Sequence, residues 1–226
     1  MVANAPEHGP LPRLLIALTV VSGLVDAFSY LTLGHVFVAN MTGNVVFFGF
    51  ALAGVGGISV VSSLVAIVAF VVGAAIGGRA ALDLRPHRGL LLAGTCAVQA
   101  AVLAVSAIAV ARTGMRPEGV TPVLIALLAV AMGGQNAVVG RLGIPELTTT
   151  VLTRTVTGLA AGSSPAVVQA RRLASVVAMV LGAWAGGLLL RWAGQSAPLW
   201  LAALVLLATA ASALVRARRR GSESWR

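Results

Sequence analysis

Asp26 is the one acidic residue set well inside an apolar run; Glu7, Asp83, Glu118, Glu146 and Glu223 fall in loops or termini. A carboxylate in hydrocarbon is costly, and such groups mark ion paths, proton relays or counter-charges to a ligand. A dozen residues on, Val38-Ala-Asn-Met-Thr-Gly-Asn44 sets two amides, a hydroxyl and a glycine into otherwise apolar sequence. Asn40 and Thr42 have side chains that cap helix starts, Gly43 permits a tight turn, and the Asn44 amide can donate and accept. A second polar set holds Gln135 and Asn136, followed by Thr148, Thr149, Thr150, Thr153, Arg154, Thr155 and Thr157. These types predict a substrate or ion pathway formed by Asp26, Asn40, Thr42, Asn44, Gln135, Asn136, Thr150, Thr153 and Arg154. Arg154 is the candidate counter-charge to Asp26. The competing reading is that the Thr and Asn side chains only bond neighbouring helices, with Asp26 held by Ser29, Tyr30 or Asn136.

Other chemistry has little to work with. Cys96 is alone, and His8, His35 and His87 are scattered, so neither a disulfide nor a cysteine metal cluster is expected. There is no G-x-S-x-G elbow, no H-E-x-x-H pair and no Walker loop. The expectation is therefore no catalysis, no metal and no cofactor. Gln99 is expected to bond a neighbouring helix, and His35 to pack at the interface or act as a pH-sensitive gate.

Elements that could hold such groups follow from composition. The 226 residues are 58% hydrophobic and 10% charged, with mean hydropathy +0.97; soluble domains are roughly 45–50% apolar and about 25% charged. Runs at Leu14–Gly34, Ile58–Gly78, Leu90–Ala111, Pro122–Gly140, Leu173–Leu190 and Ala197–Val215 are long enough to cross a bilayer as helices. Leu14–Gly34 is long for a signal-peptide core, contains Asp26 and lacks an A-x-A site, so it reads as a permanent span. The net charge of +10 comes from sixteen arginines and no lysine. Most lie at span ends or in Arg216–Arg220, as cytoplasmic anchors do, and no basic stripe alternates with aromatics, so nucleic acid is not expected as a partner. Trp184, Trp192, Trp200 and Trp225 fit interfacial belts.

The two polar sets belong to a repeat. Gly23-Leu-Val-Asp26-Ala27 resembles Gly133-Gly-Gln-Asn136-Ala137, and each is followed by Leu-Gly, at 33–34 and 142–143. Thr42-Gly43-Asn44 falls opposite Thr153-Arg154-Thr155, and Gly73/Gly77 opposite Gly182/Gly186. The offsets stay between 109 and 111. Each half then holds one span, a polar-interrupted segment (Val36–Gly54 or Leu147–Gly162) and two more spans. Glycines four apart at Gly73 and Gly77, and at Gly182 and Gly186, let helix backbones pack closely. If the interrupted segments do not cross, each half has three spans and the second is inverted. With the C-terminus cytoplasmic, and the tail and Arg154 set aside, that arrangement places Arg13, Arg79, Arg85, Arg88, Arg141, Arg171 and Arg172 inside. Only Arg112, Arg116 and Arg191 fall outside. If the segments cross, eight spans split the arginines evenly, so the rule that positive charge stays inside favours six.

The expected fold is thus an all-α polytopic membrane protein with about six transmembrane helices and two short or re-entrant helices, arranged as an inverted two-fold repeat. A cytoplasmic tail (1–12) would precede the first half (13–112). A linker (113–120), the second half (121–217) and a basic cytoplasmic tail (218–226) would follow.

The segments Gly-Leu-Val-Asp-Ala-Phe-Ser-Tyr-Leu (23–31), Val-Phe-Val-Ala-Asn-Met-Thr-Gly-Asn (36–44), Gly-Gly-Gln-Asn-Ala (133–137) and Thr-Thr-Val-Leu-Thr (149–153) resemble the YoaK-like family of bacterial integral membrane proteins, domain of unknown function 1275. The likeness covers roughly residues 12–217. It implies an inner-membrane protein of about six spans and assigns no activity. Thr153-Arg154-Thr155 departs from the family's usual Thr-Gly-Thr.

The functional expectation is a small-molecule transporter or permease of the bacterial inner membrane, with proton coupling through Asp26 as one mode. A non-catalytic membrane subunit that captures substrate for a partner protein is the alternative. Expected partners are the lipid bilayer, a small-molecule substrate and, in a homo-oligomer, a second copy of the chain.

Overall fold

The computed structural model describes residues 11–83, 88–114, 120–142, 156–158, 160 and 165–218. Among these residues the secondary structure is all helical. Six helices have the length and apolarity to cross a membrane. They are α1 (Leu11–Thr32), α3 (Val60–Asp83), α4 (Arg88–Thr113), α5 (Val120–Leu142), α6 (Ala166–Trp192) and α7 (Ala197–Arg218). The seventh, α2 (Met41–Leu52), has 12 residues, about 18 Å of helix and too short to span.

The spans are apolar on every side, as helices in lipid must be. Exposed Val71, Leu181 and Leu204 would be a liability in water but suit hydrocarbon. Buried hydroxyls such as Thr19 and Ser22 are satisfied locally, donating to the carbonyls of Leu15 and Leu18, each at 3.1 Å, whereas the Ser63 hydroxyl is buried without a partner among the described residues. α1 is the most buried span, while α3 and α6 are the most open to the surroundings.

Hydrophobicity cannot drive helices together in lipid, so close backbone contact must. α1 packs most extensively on α6, α3 on α5, and α4 on α7. Gly23 makes the first contact possible. A Cβ there would lie 2.5 Å from Met179 O and 2.8 Å from Ala183 N, while one at Gly182 would strike the Val20 carbonyl. Gly186 sits against Leu24 and Ala27. In the second pair, a Cβ at Gly133 would strike Phe70 O and lie 2.9 Å from Ala74 N. Gly73 abuts Val130, and Gly77 abuts Gly134. Numbers rise together along both pairs, so α1 runs parallel to α6 and α3 parallel to α5. The two sets of contacts are the same set shifted by 109 or 110 residues.

After Thr32 the chain does not continue outward. Gly34 (φ 90°) and His35 (φ 60°) occupy the left-handed region, which glycine adopts freely and histidine only under constraint. The chain reverses there and descends beside α1. At Val38 and Ala39 it has returned to the level of Asp26, six residues or ~9 Å below the end of α1. α2 then turns back toward that same end: Phe47, two turns into it, has its ring 6.0 Å from Tyr30, one turn above Asp26. Residues 33–52 are a re-entrant hairpin, and Val36–Gly54 does not cross.

Candidate functional site

Asp26 is where the hairpin is fastened. Its Oδ1 accepts hydrogen bonds from the backbone N–H groups of Val38 (3.1 Å) and Ala39 (2.8 Å). These donors are N–H groups of a bend outside any helix, which would otherwise be orphaned inside the membrane. Ser29 does not bond the carboxylate; its hydroxyl donates to the Asp26 main-chain carbonyl at 3.2 Å. Among the described residues Oδ2 has no hydrogen-bond partner, and Asp26 lines an open cleft of about 730 Å³.

The turn itself is built by its two asparagines. Asn40 is the N-cap of α2, its side chain accepting from Gly43 N at 3.4 Å. Asn44 is fully buried, and its amide clamps one residue from both sides. Oδ1 accepts from Phe37 N at 2.9 Å, and Nδ2 donates to Phe37 O. That clamp satisfies both main-chain groups of Phe37 where no water or sheet partner could.

The cleft lies between the C-terminal half of α1, the hairpin and the middle of α6, where Met179 and Ala183 form part of its wall. Asp26, Asn40 and Thr42 contribute its polar surface, and Tyr30, Phe37 and Phe47 its aromatic surface. The rings form one cluster, with Tyr30 stacked on Phe37 at 4.9 Å and Phe37 on Phe47 at 5.7 Å. Among the described residues no basic side chain lines this cleft.

The remaining pathway candidates stand elsewhere. Asn44 is behind the cleft wall, its amide consumed by Phe37. Gln135 is buried in α5 and reaches the Ser22 hydroxyl of α1 at 3.5 Å; Asn136 donates to Met132 O at 2.9 Å, one turn back on its own helix. Asn136 lies six residues, ~9 Å, from the end of α5, just as Asp26 lies ~9 Å from the end of α1. α1 exits where α5 begins, so the two residues sit at opposite depths rather than in one central site. Thr150, Thr153 and Arg154 lie outside the described residues. Gln99 crosses from α4 to Met132 Sδ of α5 at 3.0 Å. His35 packs edge-on against Tyr30, 5.2 Å between centroids.

Sequence reasoning missed the aromatic wall. Tyr30, Phe37 and Phe47 are ordinary apolar-run residues until the reversal at Gly34 and His35 brings them together. Only their nearness to Asp26 and Asn40 in the chain could have pointed to them. Among the described residues no group of three or more His, Cys, Asp or Glu side chains could hold a metal ion.

Six apolar helices of membrane-crossing length, a re-entrant hairpin and a cleft floored by one acid define a multi-pass all-α membrane protein. The chain belongs to the family described as Protein of unknown function (DUF1275), whose profile matches residues 14–212. It is similar to the UPF0700 transmembrane protein YoaK of Bacillus subtilis (strain 168), with 36% identity over 150 residues. These are 65% of this chain and 64% of that protein, so the match spans just under two thirds of the relative's length. No solved structure matches the chain.

Proposed function

We propose that this protein is a small-molecule transporter or permease of the bacterial inner membrane and that the Asp26 cleft is its substrate site. The observation that carries this reading is the division of labour at Asp26: one oxygen holds the re-entrant hairpin, the other has no hydrogen-bond partner among the described residues, and the residue lines an open cleft. A purely structural acid would have both oxygens sealed. Ligand sites in transporters gather where a helix is broken and its ends offer polar groups, and Asn40 and Thr42 at the start of α2 supply such an end.

The chemistry of the cleft favours a cationic substrate. A carboxylate beside three aromatic rings attracts positive charge both directly and through the ring quadrupoles. A small organic amine or ammonium ion meets those terms, and a proton on Asp26 would compete with it for the same charge. That competition is how proton coupling would work here.

The recurrence of the Gly23 contacts at Gly133 supports reading the two halves as an inverted repeat, with Asn136 marking an uncharged counterpart of the Asp26 site. The termini are then cytoplasmic, because α4, α5 and α7 present Arg88, Arg141, Arg216 and Arg218 at the same end as the start of α1. No catalytic step is assigned.

The test is uptake into proteoliposomes holding only this chain. Labelled organic cations should enter, neutral sugars should not, and Asp26→Asn should abolish entry while leaving protein yield intact. Entry of sugars and cations alike, or uptake untouched by Asp26→Asn, refutes the reading. Retained binding without uptake would instead favour a substrate-capturing subunit that needs a partner.

A further inference from the structure

A second concavity lies at the opposite, arginine-rich end of the bundle. Ala81 near the end of α3, Arg88 and Leu91 in the first turn of α4, and Arg141 and Leu142 at the end of α5 enclose about 200 Å³. Two arginines line this space. Among the residues whose side chains are described, which do not include Asp83, neither has a hydrogen bond or an acidic partner. Paired cations in one pocket repel, and an anion between them removes that cost. Arginine's planar fork matches phosphate oxygens in particular.

The pocket does not end at the arginines. Leu91 also borders a groove of about 430 Å³ between α3, α4 and α5. Along α4 the groove runs from Leu91 to Val102, eleven residues or ~16 Å. Its surface is almost wholly apolar. Gln99 and Gln135 stand behind it, but their unpaired Oε1 atoms are fully covered. Ile76 and Val98 on its lips are 58% and 68% exposed, so it opens toward the hydrocarbon. Gly94 leaves it deep, since a Cβ there would meet nothing within 4 Å.

We propose that pocket and groove together bind an anionic phospholipid, its phosphate held by Arg88 and Arg141 and one acyl chain laid along α4. Basic pockets between transmembrane helices recognise such headgroups. The joined apolar groove is what a free phosphate would leave unused and a lipid tail would fill. The site is separate from the Asp26 cleft and does not rest on the transport reading.

The experiment measures lipid binding to the purified full chain by native mass spectrometry. The probes are phosphatidylglycerol, phosphatidylcholine and inorganic phosphate. Phosphatidylglycerol should bind at least ~10-fold tighter than phosphatidylcholine. A basic residue near an anionic headgroup is worth about fivefold in affinity, so Arg88→Gln with Arg141→Gln should cost ~30-fold. Gly94→Phe, at a position where a Cβ meets nothing within 4 Å, puts a ring into the groove and should weaken phosphatidylglycerol and leave phosphate binding unchanged. Arg141 is exposed at a helix end, so Arg141→Gln alone, with about a fivefold loss, carries the test should the double variant not fold. Equal binding of the two lipids overturns the proposal. So does phosphatidylglycerol binding that Gly94→Phe leaves untouched and inorganic phosphate displaces fully, which would reveal a simple anion pocket.

Discussion

Replacing Asp26 in two ways separates its tethering role from its charge. Asp26→Ala removes the acceptor of two buried N–H groups, those of Val38 and Ala39. Each orphaned donor costs about 1–3 kcal/mol, so the hairpin should lose about 2–6 kcal/mol, enough to detach it. Asp26→Asn keeps a carbonyl oxygen where Oδ1 stands. It gives up only the charge assistance of two bonds, about 1 kcal/mol each. Thermal unfolding in detergent, followed by size-exclusion chromatography, should therefore rank wild type above Asp26→Asn and Asp26→Ala well below both. Cation uptake should rank differently, with both variants inactive, because each lacks the charge facing the cleft. The comparison refutes this reasoning if Asp26→Asn unfolds as early as Asp26→Ala, since the amide oxygen would then not be replacing the tether. It also fails if uptake follows stability step for step, which would leave Asp26 a structural residue with no part in recognition.

Asn44→Ala should cost about 2–4 kcal/mol by stranding both main-chain groups of Phe37, whereas Asn40→Ala should cost about 1 kcal/mol as a lost N-cap; unfolding midpoints of the two variants check the order. Gly23→Leu and Gly133→Leu should each destabilise by about 1–3 kcal/mol through forced separation of tightly packed helices, while Gly78→Leu and Gly140→Leu, where a Cβ meets nothing within 4 Å, should purify like wild type. Cysteines placed at His35 and Val55 should both be labelled from the same side of the membrane in intact cells, with Arg141→Cys labelled from the other; Cys96 is fully buried and gives little background. Opposite-side labelling of 35 and 55 would show that the hairpin crosses. Bridging cysteines at Ser22 and Gln135 with a short thiol cross-linker should stop uptake while leaving substrate binding in place, measured before and after release of the link.

The spans were legible in the sequence because a bilayer leaves a continuous apolar chain few options other than helix. The short hairpin was legible only in part: Asn40, Thr42 and Asn44 interrupt the apolar sequence, and the arginine distribution favoured six spans over eight, but a crossing helix there stayed open. What these side chains do was not legible. Asn44 offers the same donor and acceptor to a substrate or to a main chain, and the choice depends on Phe37 arriving beside it. The partner of Asp26 was likewise invisible, because backbone N–H groups carry no residue signature; the sequence could nominate only side chains, namely Ser29, Tyr30, Asn136 and Arg154. Of the second polar set, Asn136 does not meet Asp26, because of the direction of the helices, while Thr150, Thr153 and Arg154 lie outside the described residues. In the inverted repeat we propose, an offset of 110 residues marks equivalent positions, and in antiparallel elements equivalent positions lie at different depths.

The bundle's weak seam follows from where its tight contacts are. α1 and α6 touch backbone to backbone at Gly23, Gly182 and Gly186, as α3 and α5 do at Gly133, Gly73 and Gly77. Contacts of that kind are short-ranged and steep, so each pair can move only as one body. Between the pairs, α1 meets α5 directly over a small area, and Gln135 reaches Ser22 there by a long bond. That bond also leaves the Gln135 carbonyl buried without a partner, a cost that a relative shift of the two helices could relieve. In the proposed transport cycle, movement that exposes the Asp26 cleft to one face and then the other would shear this direct α1–α5 contact, where one amide gains a choice of partners, while α2, α4 and α7, which also bridge the pairs, repack. Hence the lock placed at 22 and 135 should arrest translocation, whereas a lock within either glycine-packed pair, already rigid, should change nothing.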